Sequence, residues 1–259
     1  SSPEEWIRLQ MTGYVVERER SIEEVYPFDM GGGLRLRSNF HAFGYLEAGG
    51  KISESVGYIN TSSRAIDLTF DKSGLSPHLQ ITLPKSVAAG ERGDIIIGYT
   101  STEEEALYGT IVDNITIYID GTPARYKFTS QVIAVDNFAL TDDISAPKAN
   151  ISKNIIKFGD VNRANTICEA EATVQNTGHN PLIIRCIETT TEALKCRVEG
   201  IGSGDIVSIA EGESITLKIE LDVSHYADSD NPIVERVRII TNDPMRPMQT
   251  VKVSAIPMW

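Results

Sequence analysis

The sequence predicts an all-β protein made of two tandem immunoglobulin-like β-sandwiches. One observation is alternation. Ile66, Leu68 and Phe70, then Ile115, Ile117 and Ile119, then Ile215, Leu217, Ile219 and Leu221 place apolar residues at every second position. That period turns one face of a strand inward and the other to water. The other observation is duplication. Phe43-Gly44-Tyr45-Leu46 precedes Asn60-Thr61-Ser62, and about 115 residues later Phe158-Gly159-Asp160-Val161 precedes Asn176-Thr177-Gly178 at nearly the same distance. Self-similarity at a fixed period marks repeated architecture, and 259 residues suffice for two separate cores.

Residues 1–16 read as a strand carrying Trp6, Ile7, Leu9, Met11 and Tyr14-Val15-Val16. Ser2-Pro3 ahead of Trp6 parallels Asp243-Pro244 ahead of Met248, so the stretch matches the last strand of a preceding repeat. The alternative is an N-terminal arm that pairs with a neighbouring sheet. Either strand needs hydrogen-bond partners, in another domain or another chain. Residues 17–33, polar and then Gly31-Gly32-Gly33, read as a linker, so that 1–33 is a terminal strand plus linker.

The first repeat spans 34–136. Its expected strands are Leu34–Phe43, Lys51–Asn60, Ala65–Phe70, His78–Leu83, Gly93–Thr100, Val112–Ile119 and Arg125–Val135. Turn residues separate them: Gly49-Gly50, Asp71 to Gly74, Ala89-Gly90-Glu91, and the hairpin signal Asp120-Gly121-Thr122-Pro123. About seven short strands in about 100 residues is the immunoglobulin-like count. Residues 137–149 are a second linker, and 150–259 repeat the order. Ile151–Phe158 opens the second repeat. Thr166–Gln175 follows, with Cys168, Ala170, Ala172 and Val174 on the inward parity; then come Pro181–Ile187, Leu194–Val198, Asp205–Ile209, the strand through Ile215 to Leu221, Ile233 to Ile240, and Met248 to Ile256. Gly159 is expected to kink the opening strand so that it switches sheets. Asn176 and Gly178 are expected in a tight turn at positive φ.

Phe-Gly-Asp-Val at the start, Asn176-Thr177-Gly178 followed by Pro181-Leu182-Ile183-Ile184, Gly212-Glu213 before a strand and Thr241-Asn242-Asp243-Pro244 before the last strand form a recognisable set. They resemble the hydin-type immunoglobulin-like domains, related to the major sperm protein and PapD-like sandwiches. Residues 150–259 are similar to the bacterial domain-of-unknown-function class of that group; residues 34–136 resemble it more loosely. Members often carry Ser-Cys-Gly-Cys-Thr after the third strand, where this chain has Glu188-Thr189-Thr190-Thr191. The resemblance implies the fold and an extracytoplasmic setting (periplasm, cell surface or secreted). It implies no catalytic residue.

Composition narrows the function. A net charge of −12 with no basic stripe excludes nucleic acid and anionic membrane surfaces as partners, and no apolar run has the length of a membrane span. The histidines His41, His78, His179 and His225 stand in turns and at strand ends, with no nucleophile motif such as GxSxG. Asp222, Asp228, Asp230 and Asn231 offer oxygen ligands but lack the Gly and Glu of an EF-hand loop; like Glu103-Glu104-Glu105, they read as a solvated acidic loop. Cys168, Cys186 and Cys196 show no zinc spacing. Alignment with Phe70 places Cys186 inward beside Cys168. Buried thiols are the expected state, and a bridge from Cys186 to Cys168 or to Cys196 is the alternative.

The sequence therefore predicts no catalytic residue, no cofactor and no metal. It predicts a non-enzymatic exported protein whose partner is a protein, acting in interaction or as a spacer at the cell envelope. A carbohydrate-binding surface protein is the alternative and would stack sugars on some of Tyr14, Tyr26, Tyr45, Tyr108, Tyr226 and Trp259. An envelope enzyme or metal-dependent redox protein is the third possibility.

Overall fold

A computed structural model describes residues 13, 18–102, 104, 107–139, 144–162, 164, 166–200, 207–229 and 231–258. The strand expected over 1–16, apart from Gly13, lies outside the described residues, as do Glu103, Glu105, Asp230 and Trp259.

The stretch read as a linker is built into the fold from Ile22 onward. Helix α1 (Ile22–Val25) starts on a reciprocal cap: the Ser21 hydroxyl accepts from the Glu24 N–H at 3.3 Å, and the Glu24 carboxylate accepts from the Ser21 N–H at 2.8 Å. Strand β1 (Phe28–Gly31) then turns back into β2 (Leu34–Leu36). Gly31, Gly32 and Gly33 have φ of 91°, 56° and 90°. Three successive left-handed residues need glycine, so a run that composition reads as flexible is a fixed turn. Met30, Leu34 and Leu36 around it are fully buried.

The N-terminal half continues with β3 (Phe40–Glu47), β4 (Lys51–Asn60), β5 (Ile66–Phe70), β6 (Leu79–Thr82), β7 (Ser86–Val87), β8 (Arg92–Thr100), β9 (Gly109–Ile115), β10 (Ile117–Ile119), β11 (Thr122–Pro123) and β12 (Phe128–Val135). One sheet has the order β1-β2-β4-β8-β6; across from it lie β3-β12-β9 and β11-β10-β5-β7. Leu34, Val56, Ile95 and Ile97 meet Ile66, Ile117 and Phe128 in the core between them. The strand expected over 112–119 is divided at Thr116. Ile115 pairs with Phe128 of β12, whereas Ile117 pairs with Phe70 of β5. Asp120 (φ 50°) and Gly121 (φ 77°) form the expected hairpin turn. It leads into the short β11, and the final strand starts only at Phe128.

The C-terminal half comprises β13 (Ala149–Ile151), β14 (Ile155–Val161), β15 (Ile167–Asn176), β16 (Leu182–Thr189), β17 (Leu194–Val198), β18 (Val207–Ile209), β19 (Ser214–Asp222), a 3-10 turn Val223–Tyr226, β20 (Ile233–Thr241) and β21 (Met248–Pro257). Its sheets run β13-β15-β19-β17 and β14-β21-β20-β16-β18. These orders match β2-β4-β8-β6 and β3-β12-β9/β10-β5-β7 strand for strand. The second core joins Val174, Leu217 and Leu221 to Leu182, Val237 and Val253. This arrangement of facing, mostly antiparallel sheets is an immunoglobulin-type all-β fold. Among the described residues no helix is long and apolar enough to cross a membrane.

The duplicated motifs do work other than that expected. Gly44 and Gly159, at φ 82° and 70°, sit in bulges where β3 and β14 run parallel to β12 and β21. The switch between sheets comes earlier, at 152–154, since β13 pairs with β15 and β14 with β21. Neither Asn176 nor Gly178 has positive φ. Asn176 is fully buried. Its amide donates to the Asn180 carbonyl at 2.8 Å and to that of Ile209 at 3.0 Å, while its Oδ1 accepts from the Gly178 N–H at 2.9 Å. Asn60 does the same, donating to Arg64 O, Val87 O and Ala88 O and accepting from the Ser62 N–H. Each asparagine ends a strand of one sheet and holds a carbonyl of the edge strand of the other. Gly178 is small for reasons of space: a Cβ there would overlap the Ala146 carbonyl oxygen and lie 2.6 Å from Lys148 N.

Candidate functional site: the junction between the halves

A polar cluster lies where β9 meets β16 and β20. Thr110 donates its N–H to Glu188 Oε1 at 2.6 Å and its hydroxyl to Glu188 Oε2 at 2.8 Å. Arg238 Nη1 reaches the same hydroxyl at 3.3 Å. On the same strand β16, Arg185 Nε donates to Asp136 Oδ2 at 2.9 Å, and its guanidinium stands 4.9 Å from the centre of the Tyr108 ring. The Tyr108 hydroxyl completes the group by donating to Asp136 Oδ1 at 3.2 Å. The side chains of Asp136 and Arg185 are only 13% and 27% exposed, so solvent screens this pair less than a surface pair. Burial, then the neighbouring Asp136, pushes the Tyr108 phenol up.

Gly109 makes this approach possible. It has φ of 101°, and a Cβ there would overlap Glu188 Oε1 and lie 3.2 Å from Cys186 Sγ. A glycine at a strand start with no turn beside it is the one cue in the sequence to a close backbone approach. Thr110, Asp136, Arg185, Glu188 and Arg238 have no such cue.

Cys186 belongs to this junction. The expectation that it faces the core is corrected by a bulge: the pairing of β16 with β20 slips between Ile184 and Cys186, which reverses the side the thiol takes. Cys168 and Cys196 do pack against the second core. All three thiols are free. Burial raises the Cys168 pKa; burial, then the Glu188 charge, raises Cys186 to about 11; burial raises Cys196 to about 12.

The other candidates are dispersed. His41 stacks edge-on with Phe43, His78 Nδ1 lies 3.0 Å from the Thr100 carbonyl oxygen, His179 Nδ1 lies 2.7 Å from Glu211 Oε1, and His225 Nε2 lies 3.9 Å from Asp222 Oδ2. Asp222 caps the 3-10 turn, accepting from the Ser224 N–H at 3.0 Å and hydroxyl at 2.6 Å. Among the described residues no group of His, Cys, Asp and Glu is arranged to hold a metal. Tyr26 is buried, and the Tyr226 hydroxyl donates to Glu235 at 2.8 Å, while Tyr45 is half exposed. An open groove of about 360 Å³ crosses the outer face of β15, β19 and β17. Its cross-strand rows are Glu169-Glu220-Lys195 and Glu171-Lys218-Arg197. Charged side chains on an edge strand such as β17 are a common feature of exposed sheet edges.

No family model matches the chain, and no curated protein matches it. Among solved structures, a protein of unknown function from Porphyromonas gingivalis superposes with a TM-score of 0.64 at 18% identity, over 87% of this chain and 100% of that one. PapD-like domain 7 of human CEP192 matches at a TM-score of 0.32 and 11% identity, over 50% of this chain and 99% of that one. The YadV chaperone matches at 0.31 and 11% identity, over 86% and 99%. The first likeness shows a shared fold extending through both halves.

Proposed function

We propose that the chain is a non-enzymatic, exported protein of two tandem immunoglobulin-like domains of hydin type, serving protein–protein interaction or spacing at the cell envelope. The observation that carries this reading is the recurrence of one strand order in both halves, joined through a specific polar junction. Such an architecture sets a distance and an angle between its ends, which is what a spacer or a display module needs. The test is fractionation of the native host followed by cross-linking on intact cells. Recovery outside the cytoplasm with protein cross-links is expected. Recovery in the cytosol would remove the export claim, and turnover of a substrate by the purified chain would remove the non-enzymatic one.

A further inference from the structure

The segment joining the halves is anchored at both ends. At its start, Asp136 follows β12 directly and is held by Arg185 of β16. At its end, Ala146 and Pro147 are buried, the Asn180 N–H donates to Ser145 O at 2.9 Å, and the Thr177 N–H donates to Lys148 O at 2.8 Å. Outside this segment, β9 is hydrogen-bonded to Glu188 through backbone and hydroxyl together. A backbone N–H accepted by a carboxylate fixes the position of the strand itself, which a pair of long side chains does not. A Cβ on Gly109 would displace the Glu188 carboxylate that accepts from the Thr110 N–H and would lie 3.2 Å from Cys186 Sγ.

We propose that this junction is a latch holding the two halves in one orientation, with Gly109 as the residue that lets it close, so that the chain is a stiff spacer rather than two modules on a flexible tether. The proposal rests on the two-domain reading above. It gives the junction thiol a use as a reporter, because Cys186 is covered by the first half while Cys168 and Cys196 are covered by the core of the second. Its raised pKa leaves little thiolate while the latch is closed, and opening removes part of the burial, lowering the pKa and raising the reactivity.

The test is iodoacetamide labelling of the full chain at pH 8, read site by site by peptide mass spectrometry. In the native protein all three thiols should react slowly relative to the urea-unfolded chain. Gly109→Ala should speed Cys186 by about tenfold or more with Cys168 and Cys196 unchanged, following the gain in thiolate. Thr110→Val, which removes the hydroxyl bond without touching a left-handed residue, should act in the same direction more weakly. Small-angle scattering should show a broader distribution of lengths for Gly109→Ala. Fast labelling of Cys186 in the native chain, or no change in either variant, overturns the latch and leaves the two-domain reading intact. Joint acceleration of all three thiols overturns the two-domain reading and the latch with it, since the halves then open as one unit.

Discussion

Cutting Asn176 back to alanine leaves the Ile209 carbonyl and the Gly178 N–H without their partner in buried surroundings, and the Asn180 carbonyl without it in a part-buried one. Stranded buried groups cost about 1–3 kcal/mol each, and rearrangement recovers part of it, so a loss of roughly 2–4 kcal/mol is expected for Asn176→Ala. Asn60→Ala should lose a similar amount. Urea unfolding of each variant measures this; a shift under about 1 kcal/mol would mean that water replaces the amide. The asparagines were legible in the sequence as a duplicated motif, but their role was not. Asn residues at strand ends ordinarily signal turns, and the carbonyl that Asn176 holds lies 33 residues further on. A second duplicated device had no local mark at all. Asp113 accepts the Tyr99 hydroxyl at 2.9 Å and the Ser76 N–H at 2.6 Å, and Glu235 accepts the hydroxyls of Tyr226 and Thr190. Asp113 ties the connection leaving β5 to β8, and Glu235 ties the connection leaving β16 to the 3-10 turn after β19; in the sequence each is one acidic residue among many.

Two glycines of the same motif separate local strain from crowding at the scale of the strand. Gly159 has positive φ, yet nothing lies within 4 Å of the Cβ it lacks. Gly159→Ala should therefore cost only the left-handed backbone, about 1–2 kcal/mol. Gly178 has ordinary φ but backbone atoms of 146–148 on top of it. Those atoms belong to the strand connection and cannot rotate away, so Gly178→Ala should cost more than Gly159→Ala, despite the unstrained φ. Paired denaturation curves test the order, and the reverse order would mean that the connection into β13 moves freely. Alternation located most strands, Lys51–Asn60 to the residue. It did not locate the switches between sheets at Thr116 and at 152–154, because the inward parity of Ile115 and Ile117 continues through the first switch. Which partner a strand hydrogen-bonds is set by tertiary packing, and side-chain period carries no record of it.

For the whole molecule, the relation between the halves was the least legible feature, since nothing in the sequence pairs Arg185 with Asp136 or Glu188 with Thr110. The three thiols offer a global measurement instead. Burial holds each above its ordinary value, most strongly Cys196 at about 12. Above pH 9 the unfolded chain sheds these protons while the folded chain keeps them, so the unfolded state binds fewer protons and stability falls as pH rises. That stability is fully present below the unfolded pKa near 9 and drains away towards the folded values. Cys196 contributes at most roughly 1.4 kcal/mol per pH unit in this window. Cys168 and Cys186 are more open to solvent and contribute less. Tyr58, Tyr99, Tyr108 and Tyr226, also raised first by burial, act in the same direction but only from about pH 10 upward. The window between pH 9 and 10 thus belongs mainly to the cysteines. Urea midpoints for Cys196→Ala should decline more gently across it than those of the native chain, whatever the variant's loss at pH 7 from the missing sulfur. Parallel declines would mean that the Cys196 thiol titrates as freely in the folded protein as in the unfolded one, and that the core around β17 and β19 admits water.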